Sequence, residues 1–347
     1  MHKDVTTIAI DAMSGDFGLA VTVPATCQFL QAQENASYAA ILVGDEEQLE
    51  AALNKEDAAG LVQSGRMTIK HASQVVEMHE EPALALKRKK DSSMRVAINL
   101  VKEGEAAAAV SAGNTGALMA TARFVLRMIG GVNRPAICTS MPCIQPDRTV
   151  LMLDMGANVD SAPEVLRQFA VMGSVLSEAS KKISNPSVAL LNVGAEDIKG
   201  SEKVKQAAAL LADTDINYVG FVEGDEILAG EVDVVVADGF EGNIALKTSE
   251  GTAKVIMTVL REEFRKNWMT KLVGLLATPI FRAVQSRMDP RLHNGATMLG
   301  LNGIVIKSHG GTDALGFRYA IAEAAQQASF DLVGGLSKGV GEKISES

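Results

Sequence analysis

The stretch Ala107-Ala108-Ala109-Val110-Ser111-Ala112-Gly113-Asn114-Thr115-Gly116-Ala117-Leu118 decides the fold class of this chain. Its first four residues are apolar without alternation, the signature of a strand buried on both faces. Small polar residues and a glycine follow, and then Asn114 or Thr115 in position to cap a helix start. Strand, glycine turn and helix within twelve residues make the first half of a strand–helix–strand unit. Outward from this point the same grammar repeats. Strands are expected at 6–10, 39–43, 67–70, 107–110, 149–153, 188–193, 217–222, 232–237 and 304–307, with helical stretches such as 162–181, 201–212 and 313–333 between them. Alternation of this kind predicts an α/β fold, doubly wound about a mostly parallel sheet. No repeat and no Gly/Ser linker divides the 347 residues, so one large α/β unit over 1–347 is expected.

Composition narrows the function. Apolar residues are 47% and charged residues 22%, values of a globular chain rather than a disordered one. Three cysteines, Cys27, Cys138 and Cys143, are too few for a disulfide scaffold and lack zinc-ligand spacing, so a reducing, cytoplasmic setting and no metal are expected. A net charge of −9 with one Trp argues against a nucleic-acid partner. The N-terminus lacks a signal-peptide core, and no apolar run is long enough to span a bilayer. Residues 251–291 depart from the rest: eight cations against three carboxylates give a local +5, leaving −14 elsewhere. The stretch holds the sole Trp and a Leu-rich segment, a composition that fits an interfacial membrane element or a helical dimer interface.

Chemistry in an open α/β sheet sits outside the carboxyl ends of the strands. Those ends share glycine with Asp, Asn, Ser or His: Asp11 to Gly18 after the first strand, Ser111 to Gly116, Asp154 to Asn158, Asn192 to Glu196, Asp238 to Asn243 and Lys307 to Asp313. Convergence at one sheet edge would make a donor-rich cleft for an anion, supplied by helix-start N–H groups. Four adjacent cations, Lys87 to Lys90, precede the expected helix start at Ser92 and Ser93 and suit a bound phosphate. His309 is the one histidine in a glycine-rich strand-end turn, where it fits a phosphate donor or a general acid/base. Absent are GxxxxGK[ST], GxGxxG after the first strand and GxSxG. P-loop hydrolysis, the usual dinucleotide mode and a covalent serine route therefore have no anchor. Catalysis by positioning and electrostatics remains.

In order along the chain, IAIDAMSGDFG at 8–18, LKRKKDSSM at 86–94, VSAGNTGAL at 110–118, LDMGANVD at 153–160, LLNVGAEDIKG at 190–200, VVADGFEGNIALKTSEG at 235–251 and SHGGTDALGF at 308–317 resemble the bacterial phosphate acyltransferases of phospholipid synthesis. One position departs: Ser14 stands where that family usually has glycine, which implies either a less tight turn or unusual backbone angles there.

The resemblance implies a Rossmann-like α/β/α sandwich related to phosphotransacetylase and the isocitrate and isopropylmalate dehydrogenases. It implies attack of inorganic phosphate on a long-chain acyl thioester of acyl-carrier protein, without a cofactor. The acyl phosphate product would pass to a membrane glycerol-3-phosphate acyltransferase. A homodimer in peripheral contact with the inner face of an anionic cell membrane is also implied. On this expectation His309, Asn114, Asp238 and Asn243 are the catalytic candidates. Asp11, Asp16, Lys87, Lys90, Ser92, Ser93, Ser111, Thr115 and Asp313 are the candidates for binding phosphate and substrate. Contact with membrane or carrier protein falls to Arg261, Arg265, Lys266, Trp268, Lys271, Leu272, Leu275, Leu276, Phe281 and Arg282. The rival readings are a related dehydrogenase or short-chain phosphotransacylase and a non-catalytic membrane adaptor.

Overall fold

A computed structural model describes residues 5–145 and 148–344. Eleven strands form one sheet: β1 (Thr6–Asp11), β2 (Tyr38–Gly44), β3 (Met67–His71), β4 (Ala108–Ser111), β5 (Ala136–Pro142), β6 (Thr149–Leu153), β7 (Val188–Leu191), β8 (Tyr218–Val222), β9 (Val234–Val236), β10 (Ala296–Leu299) and β11 (Ile304–Lys307). The helices are α1 (Leu19–Gln31), α2 (Glu46–Leu53), α3 (Ala59–Gln63), α4 (Pro82–Arg88), α5 (Ser93–Lys102), α6 (Thr115–Leu126), α7 (Pro163–Lys181), α8 (Glu202–Ala212), α9 (Gly239–Arg265), α10 (Trp268–Leu276), α11 (Thr278–Met288), α12 (Ala314–Ala328) and α13 (Leu332–Ile344). All nine expected strands are present, with ends within two residues of their expected positions. The expected helix at 313–333 instead ends at Ala328, and a second one begins at Leu332.

Strand order is β3-β2-β1-β4-β11-β10-β5-β6-β9-β7-β8. The first five run parallel to one another, as do β6, β9, β7 and β8. Three successive antiparallel pairings, β11 with β10, β10 with β5 and β5 with β6, join the two groups. An odd number of reversals leaves the two parallel halves pointing in opposite directions. The expectation that every glycine-rich strand end meets at a single sheet edge is therefore corrected. The carboxyl ends of β1, β4 and β11 share one edge, and those of β6, β7 and β9 face the other way. Register nonetheless brings the two sets to the same height. Lys307 pairs with Ala296, Thr297 with Cys138 and Thr139 with Met152, so β11 and β6 end within about one residue of the same row.

Successive strand residues face opposite layers, which is why both faces are apolar. Ile8 and Ile10 join one core with Phe169 of α7, Phe317 of α12 and Leu336 of α13. Ala9, Ala109 and Val305 point the other way, against Ile98 of α5 and Leu118 of α6. Phe169 and Phe317 are fully buried, so truncating either to alanine costs about 3–5 kcal/mol.

Candidate active site

Polar residues at the strand ends do two jobs, and local geometry separates them. Many are helix caps. Ser92 caps α5 by accepting from Arg95 N–H, Asn114 caps α6 through Ala117 N–H, Asp238 caps α9 through Phe240 N–H and Asp313 caps α12 through Gly316 N–H. Each satisfies one of the donors that a helix start leaves open.

The other job is to lock the loops after β1, β4 and β11 together. Gly15 has φ +86°, and a Cβ there would lie 2.9 Å from Ala112 Cβ and 3.1 Å from the Gly310 carbonyl. Only glycine fits that close approach in the left-handed region. Asp16 N–H donates to Gly310 O at 2.9 Å, and Ser308 N–H to Ser111 O at 2.9 Å. Ser14 adopts no left-handed backbone; it is buried, its hydroxyl donates to Asp11 O at 2.9 Å, and it accepts from Ala112 N–H at 3.0 Å. The looser turn expected from Ser14 is not found, because Gly15 takes the strained position and Ser14 ties the first loop to the second.

Beneath these loops the Ser111 hydroxyl donates to Asp11 Oδ2 at 2.6 Å and accepts from Gly113 N–H at 3.1 Å. Asp11 is 1% exposed, and its Oδ1 has no hydrogen-bond partner. Burial raises its pKa, while Ser111, Ser93, Ser14 and the charge of Lys307 pull it back. Lys307 lies over this group. Its Nζ donates to Ser308 O and reaches Ala112 O at 3.4 Å. Burial pushes the Lys307 pKa down to about 8, against the pull of Asp16 and Asp11 and with help from Lys247.

Asn114 has every side-chain group committed. Oδ1 caps α6 at 2.9 Å, and Nδ2 donates to Met78 O at 2.7 Å and Glu80 O at 3.1 Å, fastening the 75–80 segment over the site. Thr115 and Gly116 open α6, where backbone N–H groups have no helical acceptor. In the basic run, Lys87 and Lys90 are exposed. Lys89 is the cation that turns inward, to Val75 O and to Glu80 at 2.7 Å. Ser92 and Ser93 are buried, with Ser92 capping α5 and Ser93 near enough to Asp11 to draw its pKa down. His309 is exposed; its N–H donates to Asn294 Oδ1 at 3.0 Å and its Nδ1 accepts from Gly311 N–H at 3.1 Å. Asp313 pairs with Arg291 at 2.7 Å, and Arg291 also pairs with Asp289, so this aspartate is engaged away from His309.

Asp238 and Asn243 belong to the other half. Asp238 Oδ2 accepts from Ser161 N–H at 2.6 Å, and Asn243 packs on Gly156. Buried Asp154 organises that loop, accepting from Ile137 N–H, Ala157 N–H, Asn158 N–H and Asn158 Nδ2 at 2.7–3.1 Å. Among the described residues neither Asp238 nor Asn243 hydrogen-bonds to the Asp11 group. α9 spans the gap: it starts at Asp238 and carries Lys247 close enough to act on Lys307. Sequence reasoning missed Lys307, Lys247, Lys89 and Asn294. Lys307 stands at the head of a recognised cluster, but nothing in its neighbours announces that it folds inward.

Residues 239–288 form an arm of α9, α10 and α11 whose apolar side is bare. Trp268 and Leu276 are each 75% exposed, and Leu272, Leu275 and Ile280 are exposed too. Arg261, Arg265, Lys266, Lys271 and Arg282 lie on its surface, with Lys266 paired to Glu263. Phe281 differs from the expected contact role: it stacks edge-on against Phe264 at 4.6 Å and pins α11 to α9. Among the described residues no helix is long and apolar enough to cross a membrane. Among the described residues no three His, Cys, Asp or Glu side chains gather as a metal site.

The family model for fatty acid synthesis protein matches residues 6–333. A phosphate acyltransferase of Chromobacterium violaceum is 54% identical over 338 residues, covering 97% of this chain and 96% of that one. A phosphate acyltransferase of Legionella pneumophila is 51% identical, covering 94% of each. In fold the chain is similar to a phosphotransacetylase from Streptococcus pyogenes, with a TM-score of 0.61 at 16% identity over 94% of this chain and 96% of that one. The chain therefore belongs to the fatty acid synthesis protein family and, within it, to the phosphate acyltransferases, a family of acyltransferase enzymes.

Proposed function

We propose that the chain transfers a long-chain acyl group from the thioester of acyl-carrier protein to inorganic phosphate, releasing acyl phosphate and the free carrier thiol. The observation that carries this reading is the α6 start: open backbone N–H groups at Thr115 and Gly116, on a loop whose Ala112 carbonyl lies within reach of the Lys307 ammonium. A helix start beside a cation suits a phosphate dianion. Phosphate is itself a nucleophile, so the site needs no activated serine or cysteine. Its work is to hold the dianion against the thioester carbonyl and to steady the tetrahedral oxyanion. One well-aimed donor for that oxyanion is worth about 3–4 kcal/mol. His309, exposed at the rim with Nδ1 engaged, is the candidate for that donor. Asn114, with its side chain spent on α6 and the 75–80 segment, acts by position.

The acyl phosphate goes to a membrane acyltransferase that acylates glycerol 3-phosphate. That handover gives the bare arm a purpose. The α10 tip, with Trp268, Leu272, Leu275 and Leu276, rests on anionic membrane, and the surrounding cations attract lipid headgroups and the acidic carrier protein. Ile244, Val255, Ile256 and Val259 leave an apolar stripe along α9 that fits a second copy of the chain. The decisive test of the activity follows thiol release from palmitoyl-acyl-carrier protein with and without phosphate. The reading expects phosphate-dependent release and hydroxylamine-reactive acyl phosphate. Release independent of phosphate marks a thioesterase and overturns it.

A further inference from the structure

Transfer of an acyl group from sulfur to phosphate is neutral in protons only if one proton moves. The attacking hydrogen phosphate carries a proton that acyl phosphate does not keep, and the departing thiolate needs one. No outside acid or base is required if a group in the site ferries that proton. At the β1–β4–β11 edge three side chains are candidates. Asp11 is sealed beneath the loops with Oδ2 held by Ser111. His309 is exposed, outside the packed group, with one ring nitrogen engaged. Lys307 lies between them at the end of β11. Its Nζ has three hydrogens, and the carbonyls of Ser308 and Ala112 account for two. Ala112 lies on the loop that leads into α6, so the lysine head reaches the loop proposed to hold phosphate with one hydrogen uncommitted.

We infer that Lys307 is the proton carrier of the transfer. This rests on the functional reading above and adds a residue and a step to it. A phosphate oxygen bonds to the thioester carbon, and the carbonyl π pair moves onto oxygen. When that pair returns, the C–S bond breaks with its electrons on sulfur, and Nζ gives sulfur a proton. The neutral amine then takes the proton from the phosphoryl oxygen, leaving acyl phosphate, free thiol and the ammonium restored. The charged groups facing Nζ are Asp11 from β1, Asp16 from the turn after it and Lys247 from α9. The two carboxylates favour the ammonium, while burial and Lys247 oppose it, which sets its pKa at about 8. A group that must both give and take a proton works best when its pKa lies near the working pH.

The experiment compares two thioesters of one fatty acid, an alkyl thioester of pantetheine and an ester of a nitroaryl thiol that leaves as a stable thiolate. In Lys307→Met and Lys307→Arg, phosphate-dependent turnover of the alkyl thioester falls by about 100-fold or more, within the range of lost acid–base catalysis. At saturating phosphate, turnover of the aryl thioester by Lys307→Arg falls only a few-fold, because its sulfur needs no proton and the guanidinium still holds the dianion. Equal losses on both esters, or no loss on either, overturn the assignment. The wild type gives a second reading that does not depend on variants folding: its kcat with the alkyl thioester declines above pH of about 8, and with the aryl thioester it does not. Parallel profiles refute the proton role. If the wild type makes no acyl phosphate from either ester, the functional reading itself falls, and this inference with it.

Discussion

Replacing Asn114 by alanine removes three hydrogen bonds at once: the α6 cap to Ala117 N–H and the two tethers to the carbonyls of Met78 and Glu80. A lost cap costs about 1 kcal/mol. The two tethers are partly solvent-exposed and contribute about 0.5–1 kcal/mol each. The sum is about 2–3 kcal/mol. With an unfolding entropy near ~2.1 cal/mol/K per residue over 347 residues, Tm should fall by about 3–4 °C. Asn114→Asp separates the two roles. Aspartate caps a helix as well as asparagine does, so about a third to a half of the lost stability returns. Its carboxylate cannot donate to Met78 O or Glu80 O, and it adds a negative charge beside the proposed phosphate. A like charge within ~5 Å costs more than ~1.4 kcal/mol at near-surface dielectric, so KM for phosphate should rise at least about tenfold. Differential scanning calorimetry with phosphate-saturation kinetics reads both effects. An alanine variant that melts within a degree of wild type, or an aspartate variant no more stable than alanine, would refute this division of labour.

Three further outcomes are expected. Asp154→Ala strips the acceptor from four donors, two of them on buried Asn158, and should cost about 3–5 kcal/mol in urea unfolding; a loss under 1 kcal/mol contradicts its role as loop organiser. Leu275→Glu with Leu276→Glu should weaken binding to anionic vesicles by about 100-fold or more, since each leucine buried in lipid contributes about 1.5–3 kcal/mol, while turnover of a soluble thioester stays unchanged; unaltered vesicle binding removes the tip from the membrane. Phosphate affinity, measured by calorimetry, should weaken as pH rises above about 8, because the dianion needs the Lys307 ammonium and the free protein releases that proton there. The sign for stability is opposite. The unfolded lysine keeps its proton to ~10.4, so Lys307 contributes stability above that pH and loses it as pH falls through about 8. In Lys307→Arg the affinity stays flat through this range; a wild type equally flat contradicts the assignment.

Nine strands were readable because several are runs of Val, Ile, Leu and Ala and the rest are short β-rich segments between turn residues. β5 and β10 were not. Ala-Ile-Cys-Thr-Ser-Met-Pro and Ala-Thr-Met-Leu have neither a branched run nor a clean alternation, and no helix directly follows either strand. Yet these two strands carry the reversals that turn one half of the sheet against the other, so the direction of Asp238 and Asn243 was hidden with them. The glycine-rich strand ends were legible for a local reason: each needs a cap for the next helix, and Asn114, Asp238 and Asp313 provide it. Lys307, Lys89 and Asn294 were not, because their roles are set by partners outside their own turns, such as Asp11 for Lys307, Val75 and Glu80 for Lys89, and Ser308 for Asn294. A basic run shows that cations are present but not which one turns inward.

The central claim is that phosphate, and not water, receives the acyl group. Phosphorus NMR of the purified protein with palmitoyl-acyl-carrier protein and inorganic phosphate tests it most directly. A new acyl phosphate resonance, growing in step with free thiol, is the predicted result. Thiol appearing while the inorganic phosphate signal keeps its position and area, with no acyl phosphate resonance beside it, would contradict it.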